Sequence, residues 1–391
     1  MLVAGLLAGA LAAPSRAHGC HVPEPKVGAG ATASCHMDKI GALEVSETAG
    51  LGRMEIHGKT AAILGRDEGI VSLVDVSKPA KPKVLGRYDG GLEQQRAGKS
   101  LDGDLAFSSD GKWLFYARQS TQMSGDGVHV IDVSDPSAPT LLHYQPQGGA
   151  SRIAVYDNGS ATYVITLDAV QGLVVNRFDP TDSTGALVPV FAEPTPALTK
   201  VGGPASAGLF VDTEDEALGL PLLYAAAGDG LHVYDLSAPE QPALVGSWDS
   251  EGLAEIEVVS TKKSRTIYTA TEYWFETDNT PEVIVLDASD LSAIDDKRRI
   301  GLGFPTTDEF WVQGMSLTRN RLFVAYSQAG LIAFDLGGHS MGYFSDLGAK
   351  NAAATVATAG PYAYDVESTG KLVYVTDAAS GTLTVVRPGR G

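Results

Sequence analysis

A unit of about fifty residues recurs along the chain, and that repeat constrains the fold more than any other feature. Its clearest copy is Gly127-Val-His-Val-Ile-Asp-Val-Ser-Asp-Pro-Ser-Ala-Pro139. Val128, Val130, Ile131 and Val133 form a β-branched run that reads as a strand. Asp132 and Ser134 offer side-chain oxygens to a following turn, and Pro136 and Pro139 end ladder donation. The design returns as Gly69-Ile-Val-Ser-Leu-Val-Asp75-Val-Ser-Lys-Pro79-Ala-Lys-Pro82 and as Gly230-Leu-His-Val-Tyr-Asp235-Leu-Ser-Ala-Pro239-Glu-Gln-Pro242. Weaker copies end at Asp179, Asp287 and Asp335, and in a last one Arg387 takes the aspartate's place. A β-rich unit that cannot bury its own faces must stack on its neighbours, and at this period the solution is a propeller blade.

Each repeat divides into four strands. In the second, Asp104-Leu-Ala-Phe-Ser108, a turn at Ser109-Asp-Gly-Lys112, and Trp113-Leu-Phe-Tyr-Ala117 make a hairpin. The signature strand follows, and Thr140-Leu-Leu-His-Tyr144 comes last. Seven signature strands predict an all-β, seven-bladed β-propeller over residues 40–391. The chain runs out just after the seventh, so that blade lacks a fourth strand and leaves an apolar edge. Ala42-Leu-Glu-Val-Ser46, ahead of the first blade, is the right length to pair there and close the ring.

The unit Gly-Leu-x-Val-x-Asp-Val-Ser-x-Pro-x-x-Pro resembles that of the LVIVD-repeat proteins, over roughly residues 50 to 390. Copies three, five, six and seven lose one or both prolines. Leu372-Val-Tyr-Val-Thr-Asp377, followed by Gly381-Thr-Leu-Thr-Val, also resembles the YVTN type of propeller repeat. The resemblance implies an exported β-propeller and no particular reaction, because fold does not fix function.

Residues 1–17 carry an apolar run, Met-Leu-Val-Ala-Gly-Leu-Leu-Ala-Gly-Ala-Leu-Ala-Ala, of signal-peptide length and too short to span a bilayer. Cleavage after Ser15-Arg16-Ala17 would start the mature chain at His18, although no basic residue precedes the run. The expectation is a secreted, periplasmic or cell-surface protein. Residues 18–39 read as a leader holding both cysteines. Cys20 and Cys35 pair in an oxidising compartment, closing a loop worth about 3 kcal/mol in the chain-entropy model. Lipidation of Cys20 and a metal site with His18, His21 and His36 are the rival readings.

The 29 basic against 47 acidic residues give a formal charge of −18, which disfavours nucleic acid as a partner. Arg96-Ala-Gly98-Lys99-Ser100 lacks the earlier glycine and the context of a phosphate-binding loop. His129 and His232 hold one position in two signature strands and are expected to pack between blades. The first strands of a propeller line its channel. Aligning them on Ile56, Leu105, Ile153, Leu209, Ile256 and Met315 forms a ring of Glu55, Asp104, Arg152, Gly208, Glu255 and Gly314. Two readings follow: a wet channel with Arg152 as counter-ion, or a hard cation such as Ca²⁺ held by Glu55, Asp104 and Glu255. Long segments carry Tyr273 and Trp274, and Phe310 and Trp311, beside carboxylates, either as ligand-binding loops or as packing. These features point to a non-catalytic binding or surface scaffold protein whose partner is an unidentified protein or carbohydrate at the cell surface. The alternative is a propeller-type metal-dependent hydrolase or lactonase with its site at the channel.

Overall fold

The computed structural model describes residues 34–46, 50–66, 69–89, 101–120, 127–147, 149–168, 171–194, 207–227, 229–250, 252–271, 282–301, 312–318, 320–345 and 362–389. Seven antiparallel sheets follow one another along the chain as the blades of a propeller, five of them built from four consecutive strands and the sixth and seventh each joined by a strand from the N-terminal end of the chain. The second blade, for instance, comprises Leu101–Phe107, Trp113–Ser120, Gly127–Asp132 and Thr140–Pro146.

The hydrophobic pattern explains the layering. The signature strands Val71–Asp75, Gly127–Asp132 and Val283–Asp287 are buried on both faces, because each is sandwiched between two neighbouring blades. Outermost strands are polar, as in Asp295–Ile300, where only Ile300 is buried. The core is accordingly a set of seams. One joins Ala62, Leu64 and Leu73 of the first blade to Leu105, Tyr116 and Ile131 of the second.

Two features of the repeat have direct causes. The signature aspartates cap their turns: the Ser77 N–H donates to Asp75 Oδ1 at 2.9 Å, Ser134 to Asp132 at 2.9 Å, Ser237 to Asp235 at 2.7 Å and Ser289 to Asp287 at 3.0 Å. The glycine that opens the unit is steric in origin. Gly127 and Gly230 adopt φ of 151° and 149°, and a Cβ there would lie 2.2 Å from the Gln145 carbonyl oxygen and 2.3 Å from that of Trp248.

The ring closes as the spare N-terminal strand predicts. Met37–Glu44 pairs antiparallel with Thr382–Pro388, setting Ala42 opposite Thr384 and Leu43 opposite Leu383, and so completes the seventh blade. The strand begins earlier than expected, inside the segment assigned to the leader. Ser34–Cys35 goes further and pairs with Tyr343 and Phe344 as a fifth strand on the sixth blade. Residues 34–44 therefore bridge the seam between blades six and seven. Residues 1–17 and Cys20, and with them the expected signal peptide and disulfide, lie outside the described residues, as do Arg96 to Ser100.

The two histidines at one repeat position behave differently. His129 is buried between the first two blades, where the Tyr88 hydroxyl lies 2.8 Å from its Nδ1 and the rings of Tyr116 and Tyr144 pack on it. His232 is half-buried and reaches Asp229 at 3.1 Å, so it does not share the packing role. Neighbours decide the difference. Across the sheet His129 faces Tyr116 and Tyr144, whereas His232 faces Ala225 and Ser247.

Candidate functional site: the axial channel

First strands line a cavity of about 460 Å³ on the propeller axis, and its wall is mainly polar. The strand registers sort its ionisable groups into two layers, two residues apart along each strand and so separated by about 7 Å. Layer one comprises Arg53, Asp104, Arg152, Gly208, Glu255, Gly314 and Asp365. In it Asp104 pairs with Ala117, Gly208 with Ala226, Gly314 with Ala325 and Asp365 with Thr376. Layer two comprises Glu55, Ala106, Ala154, Phe210, Glu257, Ser316 and Glu367, all of which line the cavity.

This corrects the ring read from the sequence. Asp104, Arg152 and Glu255 do share a layer, but Glu55 belongs to the other one, and Arg53 takes its place. The hairpin after Glu55 is only two residues long, Gly58-Lys59, with His57 opposite Thr60, whereas Ser108 closes over four residues onto Trp113. Alignment on apolar residues therefore slips by two. Counting back from each hairpin would have found Arg53, and extending the alignment to the seventh blade would have found Asp365 and Glu367.

Layer one is held by ion pairs and backbone amides, although the Nε atoms of Arg53 and Arg152 are buried without a hydrogen-bond partner. The guanidinium of Arg53 hydrogen-bonds Glu255 and lies 3.7 Å from Asp365, and Arg152 reaches the same Glu255 oxygen at 3.7 Å. Burial works against the charge of Arg53, but Glu255 and Asp365 outweigh it and raise its pKa well above the usual value. The two aspartates repeat one device. Asp104 accepts from its own neighbour Leu105 N–H at 3.0 Å and from Ile153 N–H of the next blade at 3.1 Å. Asp365 accepts from Val366 N–H at 2.9 Å and from Met54 N–H at 2.7 Å, joining the last blade to the first. Backbone irregularities aim these side chains. β-Bulges fall at Gly52–Arg53, at Ser151 just before Arg152, at Glu255 and at Tyr364 just before Asp365, and Glu255 itself has φ of 41°, a left-handed conformation that a glutamate adopts at a cost of about 1–3 kcal/mol.

Layer two holds three carboxylates and no base. Burial, followed by the charges of Asp104 and Asp365, pushes Glu55 up to about 8. Burial and the nearby Glu255 push Glu257 up to about 8. Glu367 is raised well above the carboxylate range by burial and by Glu55, Asp365 and Glu257. In layer one, burial outweighs Arg53 and holds Asp365 at about 7, and it raises Asp104 against the pull of Arg152 and Arg53. At neutral pH layer two thus holds protons on Glu55, Glu257 and Glu367.

The expected cation set of Glu55, Asp104 and Glu255 is not assembled. Glu255 is taken by two arginines, Asp104 by two backbone amides, and Glu55 lies a layer away. Among the described residues no group of three His, Cys, Asp or Glu is placed to hold a metal ion. Arg152, expected as a channel counter-ion, lies 3.7 Å from Glu255, a carboxylate that Arg53 also contacts. Tyr273, Trp274, Phe310 and Trp311 lie outside the described residues.

Seven four-stranded blades around a charged axial cavity define a seven-bladed β-propeller with a polar channel. The LVIVD repeat model matches residues 123–144 and 223–250, the second and fourth signature units, so the chain carries LVIVD repeats on a seven-bladed β-propeller. Among curated proteins none matches the chain. Similar solved structures include the β-propeller domain of Cps50 (Swd1) from Myceliophteria thermophila, 11% identical with a TM-score of 0.56 over 90% of this chain and 99% of that one. A functionally unknown protein from Desulfotomaculum acetoxidans is 16% identical, with a TM-score of 0.52 over 76% of this chain and 86% of that one. Raptor from Chaetomium thermophilum is 14% identical, with a TM-score of 0.55 over 90% of this chain and 29% of that one. At such identities the likeness concerns the fold alone.

Proposed function

We propose that the protein is an exported, non-catalytic binding or scaffold propeller acting at the cell surface on a protein or carbohydrate partner. One observation carries the reading: the charges of channel layer one are tied to one another and to backbone amides of adjacent blades. Those groups hold the ring together and are not free for proton transfer or nucleophilic activation. Recognition is then expected of other segments, among which those bearing Tyr273, Trp274, Phe310 and Trp311 are rich in aromatic residues. Export accords with the apolar stretch of residues 1–17 and with a Cys20–Cys35 disulfide. Among the described residues no helix is long and apolar enough to cross a membrane.

The test is to express the full chain in a secreting host and measure the intact mass of the exported product. Loss of residues 1–17 with a reducible Cys20–Cys35 bond is expected, and a diacylglyceryl mass on Cys20 would replace the bond with a lipid anchor. A surface-glycan panel, probed with the wild type and with W274A and W311A, should show binding that the variants lose. Chelator-sensitive hydrolysis of ester or lactone substrates would instead install the metal-dependent hydrolase, with ligands other than the Glu55, Asp104 and Glu255 set.

A further inference from the structure

A second cavity, of about 550 Å³, lies at the seam of blades six and seven, beside the closing strand. Arg321 enters it from the sixth blade, Lys371 from the first hairpin turn of the seventh, and Arg387 from the strand that Met37–Glu44 completes. Phe323 is a buried part of its wall, Asn320 adds an amide, and Asp38 is its single acid. From these residues we propose that this cleft is a binding site for a phosphate-class dianion, carried on a small organic molecule.

The state of the arginines supports this. Among the described residues, Arg53, Arg152, Arg177, Arg265 and Arg299 pair with carboxylates, and Arg87 and Arg298 donate to backbone carbonyls. Arg66 and Arg118 are engaged as well. Arg321 and Arg387 alone among the described arginines make no side-chain hydrogen bond or ion pair, and both line this one cleft. Lys371 beside them is also unpaired. The chain has 47 acidic residues against 29 basic ones, so partners are plentiful, yet only Asp38 is placed here. Three like charges on one concave wall repel one another, and an anion relieves that repulsion.

The charge count selects the ligand. Three cations and one carboxylate leave the cleft with a net +2, which matches a phosphate monoester dianion and exceeds what a single carboxylate would neutralise. Two guanidinium forks suit the paired oxygens of a phosphoryl group, and the ammonium of Lys371 adds a point charge. The volume lies in the range of small-molecule sites, about 300–1,000 Å³, and leaves room for an organic portion along Phe323.

The test titrates the full chain with inorganic phosphate and with glucose 6-phosphate at constant ionic strength, by calorimetry. Saturable one-site binding is expected. R321Q and R387Q should each weaken it at least tenfold, R177Q on the third blade should leave it unchanged, and D38N should tighten it severalfold. Stronger binding of the ester identifies a phosphorylated small molecule, and equal binding identifies free phosphate. No saturation by about 10 mM of either ligand, or equal affinity in wild type, R321Q and R387Q, overturns the site. D38N guards the outcome, because a gain in affinity cannot come from misfolding.

Discussion

The two layers of the channel sit on the same strands, two residues apart, and obey opposite electrostatic logic. Layer one sets Asp104, Glu255 and Asp365 against Arg53 and Arg152 and spends its remaining acceptors on amides of the next blade. Layer two sets Glu55, Glu257 and Glu367 against nothing basic, and the glutamates answer by holding protons. A buried charge survives in a low-dielectric channel when it is paired. Otherwise it neutralises itself by a pKa shift.

Breaking layer one should cost most at its shared carboxylate. E255Q removes the carboxylate that two buried guanidiniums share and leaves Arg53 with Asp365 alone, and the expected loss is about 3–5 kcal/mol, read from urea unfolding at neutral pH. A neutral or stabilising result would mean that layer one is not held by this contact. The arginines themselves are unequal. Arg53 contacts Glu255 and Asp365, whereas Arg152 meets Glu255 only at 3.7 Å and donates to its neighbour's carbonyl, Ser151 O, at 2.8 Å. R53Q is therefore expected to cost about 2–4 kcal/mol and R152Q about 1–2, and a reversed order would reassign the centre of the layer.

Glycine supplies a smaller probe. A Cβ on Gly314 would lie 2.5 Å from Asp365 Oδ1 and 3.0 Å from its Cα. G314A should cost about 1–3 kcal/mol through crowding and loosen the Met54 N–H bond to Asp365. Hydrogen exchange at the Met54 amide reads that bond directly, and unchanged exchange would show that the carboxylate moves aside without releasing it.

Much of this molecule was legible in the repeat. The Asp–Ser turn, the opening glycine and the apolar signature strand are local chemistry, and each blade reproduces them, so blade number and ring closure followed from counting. The channel was less legible. Ring membership depends on hairpin length, and the two-residue turn at Gly58-Lys59 moved Glu55 out of the layer that the apolar alignment assigned to it. Bulges at Arg53 and Glu255 leave no mark on hydrophobic periodicity, because they add one residue without changing composition. The pairing of Ser34–Cys35 with the sixth blade was hidden for another reason: its two residues contribute mainly backbone bonds, which carry no side-chain signature.

The smallest expected effect has the opposite sign and a defined pH window. Glu257 has an ordinary pKa of 4.5 when unfolded and about 8 when folded, so the native state binds its proton more tightly. Below pH 4.5 both states are protonated and the group contributes no difference. Between 4.5 and about 8 the unfolded chain releases the proton first, and stability falls progressively. Above about 8 the full penalty is present. Glu55 at about 8 and Asp365 at about 7 act in the same direction. E257Q removes one such penalty, and after discounting for channel water the gain is on the order of 1–2 kcal/mol at about pH 9, with little change at about pH 4. Urea unfolding across that range should show a shallower decline for E257Q than for the wild type. Parallel curves would mean that layer two ionises freely at neutral pH, and the contrast between the layers would then disappear.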